Sequence, residues 1–231
     1  AKPDVLADDL PVGTKLLLGQ FTIESFLCTG GFGITYVARD SLNREVVIKE
    51  CFPSSFCRRV GPRVGVRSHS RVSDFQSAVG LFQQEAANLA KLTHPNIVRV
   101  HQVFEDNETA YIAMEYIRGP DLLETIEGTA PRLSPERIAY VLDRMLDALS
   151  HVHALGFLHR DVSPDNILLD EVTGEPVLID FGAARKDETR KSRALTGFRV
   201  VKDGYSPQEF YIADSLQTPN SDLYALAATF S

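Results

Sequence analysis

Two hydrophobic periodicities divide the chain. In the first half, β-branched and aromatic residues cluster in short runs between turn residues: Phe21 to Leu27, Ile34 to Arg39, Glu45 to Glu50, Ile97 to Phe104 and Thr109 to Tyr116. Such runs suit a pleated, half-buried surface, and the five predict strands of one antiparallel sheet. One helix interrupts them. Phe75, Val79, Phe82, Leu89 and Leu92 recur at mostly helical spacing, which predicts a helix over 74–92 with Asp74 as N-cap, packed across the sheet.

Downstream the period becomes 3.6. Ser134 before Pro135 is a strong helix start, and Ile138, Val141, Leu142, Met145, Leu146, Leu149 and Val152 form one stripe until Gly156 stops it. Two short apolar runs follow, Ile167 to Leu169 and Val177 to Ile179, then a polar stretch from Arg185 to Asp203. A last helix begins near Asp222. Strands first and helices after them suit an α+β fold, and the length brackets one large domain or two lobes that share a cleft.

Chemistry-bearing residues fall at the joints of these elements. Leu27-Cys28-Thr29-Gly30-Gly31-Phe32-Gly33 lies between two predicted strands, where missing side chains let backbone N–H groups approach phosphate oxygens. The next strand ends in Val46-Val47-Ile48-Lys49, and an ammonium closing an apolar run calls for an anionic partner. A phosphate and Glu85, midway along the intervening helix, are the candidates. After the long helix come His159-Arg160-Asp161 and Asn166, and after the short strands Asp180-Phe181-Gly182. Phosphoryl transfer needs positioning more than covalent help: a carboxylate near the attacking hydroxyl, oxygen ligands for Mg²⁺ and a cation on the phosphates. Asp161, Asn166, Asp180 and Lys49 supply that set.

In these motifs and their order the sequence resembles the eukaryotic-like protein kinase family, and more narrowly its bacterial serine/threonine branch, whose Gly-Phe-Gly-Ile-Thr-Tyr wording stands at 31 to 36. The resemblance implies a bilobal kinase fold: a lobe over 1–117 with a five-stranded antiparallel sheet and one helix, and a mostly helical, incomplete lobe over 118–231. It makes Lys49 the phosphate-anchoring lysine, Glu85 its helix partner, Asp161 the catalytic aspartate, and Asn166 and Asp180 the Mg²⁺ (or Mn²⁺) ligands. Leu27, Gly30 and Gly33 would cover the nucleotide. Thr35, Val47 and Leu168 would sandwich adenine, Met114 would be the gatekeeper, backbone groups of Glu115 and Ile117 would bond adenine, and Asp121 would meet ribose. Leu89, His159 and Phe181 match the packed column of an active kinase, Asp222 the aspartate bracing the catalytic loop, and Gly204 to Glu209 the motif closing the activation segment. Thr189, Ser192 and Thr196 between them are candidate phosphorylation sites that would pair with Arg160.

Four departures qualify the match. Cys28 replaces the first glycine of the loop, and Ser163 replaces the usual lysine, taking a positive charge from the γ-phosphate. Lys49 and Glu85 stand farther apart than the family spacing, and the extra residues, 51 to 73, hold Arg58, Arg59, Arg63, Arg67 and Arg71 with no acid. Such a run is ordinarily a solvated face, and its sharper reading is a docking element for an acidic or phosphorylated partner. Finally, the chain stops within the last helix, which would leave Tyr224, Leu226 and Phe230 short of cover and Glu209 without its arginine. The uncovered patch favours self-association or a partner completing the lobe.

Composition sets outer bounds. The chain has 231 residues, 44% hydrophobic and 24% charged, enough for a proper core. Acidic residues number 31 against 24 Lys and Arg, and the net charge of −7 does not favour nucleic acid. No run reaches the roughly 18 apolar residues of a membrane helix, and the start lacks a signal-peptide layout, so the expected location is cytoplasmic. Cys28, Cys51 and Cys57 fit neither a disulfide framework nor a zinc pattern. The expected activity is transfer of the ATP γ-phosphate to Ser or Thr of proteins, the chain itself included. The alternatives are a catalytically weak, nucleotide-binding scaffold and a small-molecule kinase.

Overall fold

A computed structural model of the chain describes residues 8–30, 33–180, 204–210 and 216–231. Two compact units emerge, Ala1–Ala90 with Val100–Tyr116, and Lys91–Arg99 with Ile117–Ser231. The second takes back residues 91–99, which lie inside the first by sequence.

The first unit is built on a six-stranded sheet in which every pair is antiparallel. Its strands are β1 (Lys15–Leu16), β2 (Phe21–Thr29), β3 (Gly33–Asp40), β4 (Glu45–Cys51), β7 (Val100–Asp106) and β8 (Thr109–Glu115), in the order β1-β2-β3-β4-β8-β7. The sixth strand, β1, is too short to leave a periodic signal. Residues expected in a surface insertion form a separate hairpin of β5 (Cys57–Val60) and β6 (Arg63–Val66). Helix α1 (Val72–Leu89) meets β4, β7 and β8. It starts two residues before the expected N-cap, so Asp74 sits in its first turn, where a carboxylate favours the helix dipole, and accepts from Arg71 at 2.8 Å.

Sheet register decides where the core lies. Ile34, Tyr36 and Ala38 of β3 face Glu50, Ile48 and Val46 of β4, and these in turn align with Tyr111 and Ala113 of β8. Partners in register share a face, so one side of the sheet is a continuous apolar surface. Leu10 from the N-terminal segment, Phe52, and Cys57 and Val64 of the hairpin join that cluster. The insertion therefore packs on the sheet. Each large side chain so buried is worth about 1.5–3 kcal/mol, which makes the hairpin part of the unit's stability.

In the second unit, α3 (Pro135–Ala154) begins where Ser134 Oγ accepts from the Arg137 N–H at 3.2 Å. Val141, Met145, Ala148, Leu149 and Val152 are buried, while Ile138 and Leu146, on the margins of the same stripe, remain 41% and 44% exposed. The strands β9 (Ile167–Leu169) and β10 (Pro176–Leu178) pair antiparallel, and α2 (Leu122–Glu127) precedes α3. Residues 91–99 belong here because Asn96 serves β10 with both ends: its Nδ2 donates to Pro176 O at 2.8 Å, and its carbonyl accepts from Leu178 N at 2.9 Å. The final helix, α4 (Pro219–Thr229), leaves Tyr224 55% exposed and Phe230 half-buried but buries Leu226 to 1%, so the expected lack of cover does not describe the leucine.

Candidate active site

In the first unit, alternation along β4 sends Lys49 and Val47 to the face opposite the core. Thr35 and Ile112 flank Lys49 in register, and Val37 and Met114 flank Val47. Four residues expected around a nucleotide, Thr35, Val47, Lys49 and Met114, thus share one face. Glu115 ends β8, exposed, opposite Val46. Glu85 lies on α1, which meets β4.

The Gly-rich turn joins β2 to β3. Gly30 N donates to Gly33 O at 2.8 Å, and Leu27 and Cys28 on the approach are exposed. A Cβ on Gly33 would stand 2.4 Å from the carbonyl oxygen of Glu50, so this glycine is required by close backbone contact with the lysine strand. At Gly30 an added Cβ would meet nothing nearer than 3.9 Å. That position is open. Gly31 and Phe32 lie outside the described residues.

Directly behind Lys49, the Glu50 side chain is fully buried on the apolar side of the sheet. Its carboxylate accepts from Arg59 through both guanidinium ends, Nη1 at 2.7 Å and Nη2 at 2.5 Å, from the Tyr36 hydroxyl at 2.9 Å and from the Tyr111 hydroxyl at 2.7 Å. Burial, and then the Glu50 charge, push both phenols well above the ordinary tyrosine range, so they act as donors. Four of the five arginines of the insertion, Arg59, Arg63, Arg67 and Arg71, are engaged within their own unit, and Arg58 is exposed. Arg67 donates to Cys57 O, Arg63 to Glu108 and Arg71 to Asp74, and neither the solvated face nor the docking element describes Arg59. This pair was missed in sequence, although a carboxylate at an inward position of a strand, beside Ile48, was a signal that a cation had to reach it.

In the second unit the segment after α3 is organised by Asp222 of α4, which is 1% exposed. Its Oδ1 accepts from Arg160 N at 2.8 Å and its Oδ2 from His159 N at 2.9 Å and from His153 Nε2 at 2.8 Å. Burial alone would raise this carboxyl's pKa, but the His153 bond and the backbone N–H groups outweigh it and hold the pKa below the usual range. With its backbone held, Arg160 takes a left-handed φ of 68°. The His159 Nδ1 accepts from Asp161 N at 3.2 Å, and its Nε2 meets Ile179 O at 3.2 Å.

Asp161 is tethered by Asn166, whose Nδ2 donates to the Asp161 carbonyl at 2.8 Å and to its Oδ2 at 2.9 Å. The Asn166 carbonyl accepts from Ile179 N at 2.9 Å, which ties this loop to the residue before Asp180. Asp180 is exposed, at a left-handed φ of 49°. Ser163 is buried, its Oγ 3.5 Å from the Asp161 carbonyl. Leu168 lies on β9, bridged to Asp121, whose carboxylate also caps α2 by accepting from Glu124 N at 2.8 Å. Burial, first of several causes, raises the Asp121 pKa. Glu209 is met by Ser221 Oγ at 2.6 Å, a partner not foreseen from sequence. Phe181, Gly182, Thr189, Ser192 and Thr196 lie outside the described residues.

Residues 21–231 match the protein kinase domain. The chain belongs to the protein kinase family. Among curated relatives, the kinase is similar to serine/threonine-protein kinase F of Synechocystis sp., 30% identical over 230 residues, covering 93% of this chain and 43% of the relative. It is similar also to serine/threonine-protein kinase pkn3 of Myxococcus xanthus, 32% identical over 220 residues, covering 92% and 37%. The kinase spans less than half the length of these relatives. Among solved structures, the PpkA-294 apo form superimposes with a TM-score of 0.81 at 34% identity, covering 96% of this chain and 77% of that one. The Mycobacterium tuberculosis PknI kinase domain, at 24% identity and a TM-score of 0.66, covering 96% of this chain and 74% of that one, shares the fold.

Protein kinases use ATP and a divalent metal ion, and the residues present fit both. Among the described residues no group of three or more His, Cys, Asp or Glu side chains could hold a metal alone. An ion held by one or two side-chain oxygens together with substrate phosphates requires no such cage. With its Nδ2 donating to Asp161, Asn166 would offer a cation its amide oxygen, and Asp180 would add a carboxylate. No helix among the described residues is long and apolar enough to cross a membrane.

Proposed function

We propose that this kinase transfers the γ-phosphoryl group of ATP, with Mg²⁺ as the metal, to Ser or Thr hydroxyls of proteins, its own included. Asp161 orients the hydroxyl and takes its proton as the oxygen attacks phosphorus and ADP leaves. Lys49, backed by Glu85, holds the phosphates. Asn166 and Asp180 hold the metal, which when bound neutralises charge on the transferring group. Leu27, Gly30 and Gly33 cover the nucleotide, Thr35, Val47 and Leu168 enclose adenine, Met114 bounds its pocket, the backbone of Glu115 and Ile117 bonds it, and Asp121 meets ribose through the carboxylate oxygen not used in capping. Dependence on ATP puts the reaction in the cytoplasm.

The observation that carries the reading is the tether on Asp161: a carboxylate fixed by its neighbour Asn166, in a loop whose backbone is pinned by a buried aspartate. Ser163 supplies no charge where a lysine is usual, so transfer is expected to be slow. The test is transfer of radiolabelled γ-phosphate from MgATP to the chain and to a basic protein substrate, beside Asp161→Asn and Lys49→Met. Label above both variants supports the reading. Label equal to Asp161→Asn, with nucleotide still bound, replaces it with a nucleotide-binding scaffold.

A further inference from the structure

Beyond the residues that would touch the nucleotide, the first unit contains a polar cluster for which phosphoryl transfer has no direct use. Glu50, Arg59, Tyr36 and Tyr111 meet inside the apolar core, and their backbone attachments are scattered over β4, β5, β3 and β8. Arg59 also donates from Nε and Nη2 to Asp8 O at 2.8 and 2.6 Å, and the Tyr36 hydroxyl accepts from Leu10 N at 3.0 Å. One carboxylate therefore gathers three sheet strands, the inserted hairpin and the N-terminal segment. Arg59 further stacks over Phe52, 4.9 Å from its ring centroid.

Burying an ion pair this way is seldom the cheapest route to stability, because apolar side chains of similar volume do as well or better. What a bidentate pair with two further donors provides is a fixed position. That position is next to the candidate phosphate lysine: Glu50 follows Lys49 on the same strand and points to the opposite face. The carbonyl of Glu50 is also the atom that Gly33 approaches so closely that no side chain fits between them. Fixing Glu50 thus fixes, through one residue of backbone, both the strand end that aims Lys49 and the strand that closes the Gly-rich turn.

We infer that Arg59 and Glu50 are positioning residues for ATP: the inserted hairpin grips the lysine strand from behind and sets the placement of Lys49 and Gly33. The inference rests on the phosphotransfer reading and assigns the arginine-bearing insertion a role in nucleotide binding. Small displacements of a binding group are costly, a 1 Å error amounting to about 100-fold in unfavourable cases.

The experiment compares the full chain with Glu50→Gln/Arg59→Met, which removes both charges and leaves no uncompensated ion, with Arg59→Lys, and with Arg63→Ala in the same hairpin as a control. Thermal unfolding reports the fold. Steady-state kinetics give KM for MgATP and for a basic protein substrate, and titration with a fluorescent ATP analogue gives affinity without turnover. The double variant is expected to unfold cooperatively, to raise the ATP KM and weaken analogue binding about 10-fold, and to leave the protein-substrate KM unchanged, with Arg59→Lys between it and wild type. Wild-type ATP KM and analogue affinity in the folded double variant would overturn the inference. Should that variant not fold, Tyr111→Phe removes one donor to Glu50 at constant charge: an ATP KM raised about 2- to 4-fold supports the inference, and an unchanged one with a lowered melting temperature overturns it. If the wild-type chain transfers no more label than Asp161→Asn, the phosphotransfer reading falls. The analogue titration then still decides the positioning role by the same criterion.

Discussion

Glu50 and Asp222 are both buried carboxylates beside functional segments, and the two units satisfy them by opposite means. Glu50 receives a full positive charge and two phenols, all from side chains on other strands. Asp222 receives two adjacent backbone N–H groups and one imidazole. The first arrangement locks strands to one another but leaves backbone conformation alone. The second grips backbone directly, and it coincides with the left-handed Arg160 just before Asp161. A charge partner sets where an element sits, whereas N–H donors set how a loop bends. The difference shows in what each carboxylate loses when its partner is altered.

The largest effect is expected from Arg59→Met alone, which strands the Glu50 charge in an apolar core. Unfolding by denaturant should show a loss of about 3–5 kcal/mol, and adding Glu50→Gln should restore most of it, because the penalty lies in the unpaired ion. Asp222→Asn is smaller in stability and larger in function. The amide presents N–H groups where donors already converge, with a loss of about 1–3 kcal/mol and slowed phosphoryl transfer measured with the same label assay. That loss should depend on pH with a definite sign. The folded pKa of Asp222 lies below its unfolded value, so its stabilisation is complete above the ordinary carboxylate pKa of ~3.9 and disappears as pH falls through the folded value. Wild type and Asp222→Asn should therefore converge in stability in acid. The smallest effect belongs to Arg63→Ala, whose exposed pair with Glu108 at 3.3 Å should be worth under about 0.5 kcal/mol. A larger loss would mean that the hairpin is held by more than Arg59 and its apolar residues.

The contrast also marks what was legible in the sequence. Asp161, Asn166, Asp180 and Lys49 were expected from chemistry in fixed order along short segments, and of these expectations the fold answers only for placement: the strands bearing Lys49 and Met114 announced themselves by alternation. Helix α1 was found but misplaced at its start: Asp74 looks like a cap, yet it lies in the first turn, bonded to Arg71. The stretch from Ile97 to Arg99 has the composition of a strand, and Ile97 does form a bridge, but to Leu178 of the second unit. Composition could not choose the partner. The Glu50 cluster was hidden for the same reason, since it joins residues from five segments. Local pattern reveals an inward carboxylate and a nearby excess of arginine without saying that one answers the other. The Ser221 hydroxyl on Glu209 left no sequence signal, because a single serine twelve residues away carries neither charge nor periodicity to announce it.

The reach of residues 91–99 into the second unit has a practical consequence for dissecting the molecule. No single cleavage yields either unit whole, because a fragment ending at Tyr116 carries off Asn96 and with it the groups that serve Pro176 and Leu178. The complementary fragment starting at Ile117 would expose an unsaturated edge on β10, and a synthetic peptide of residues 91–99 added in trans should heal it.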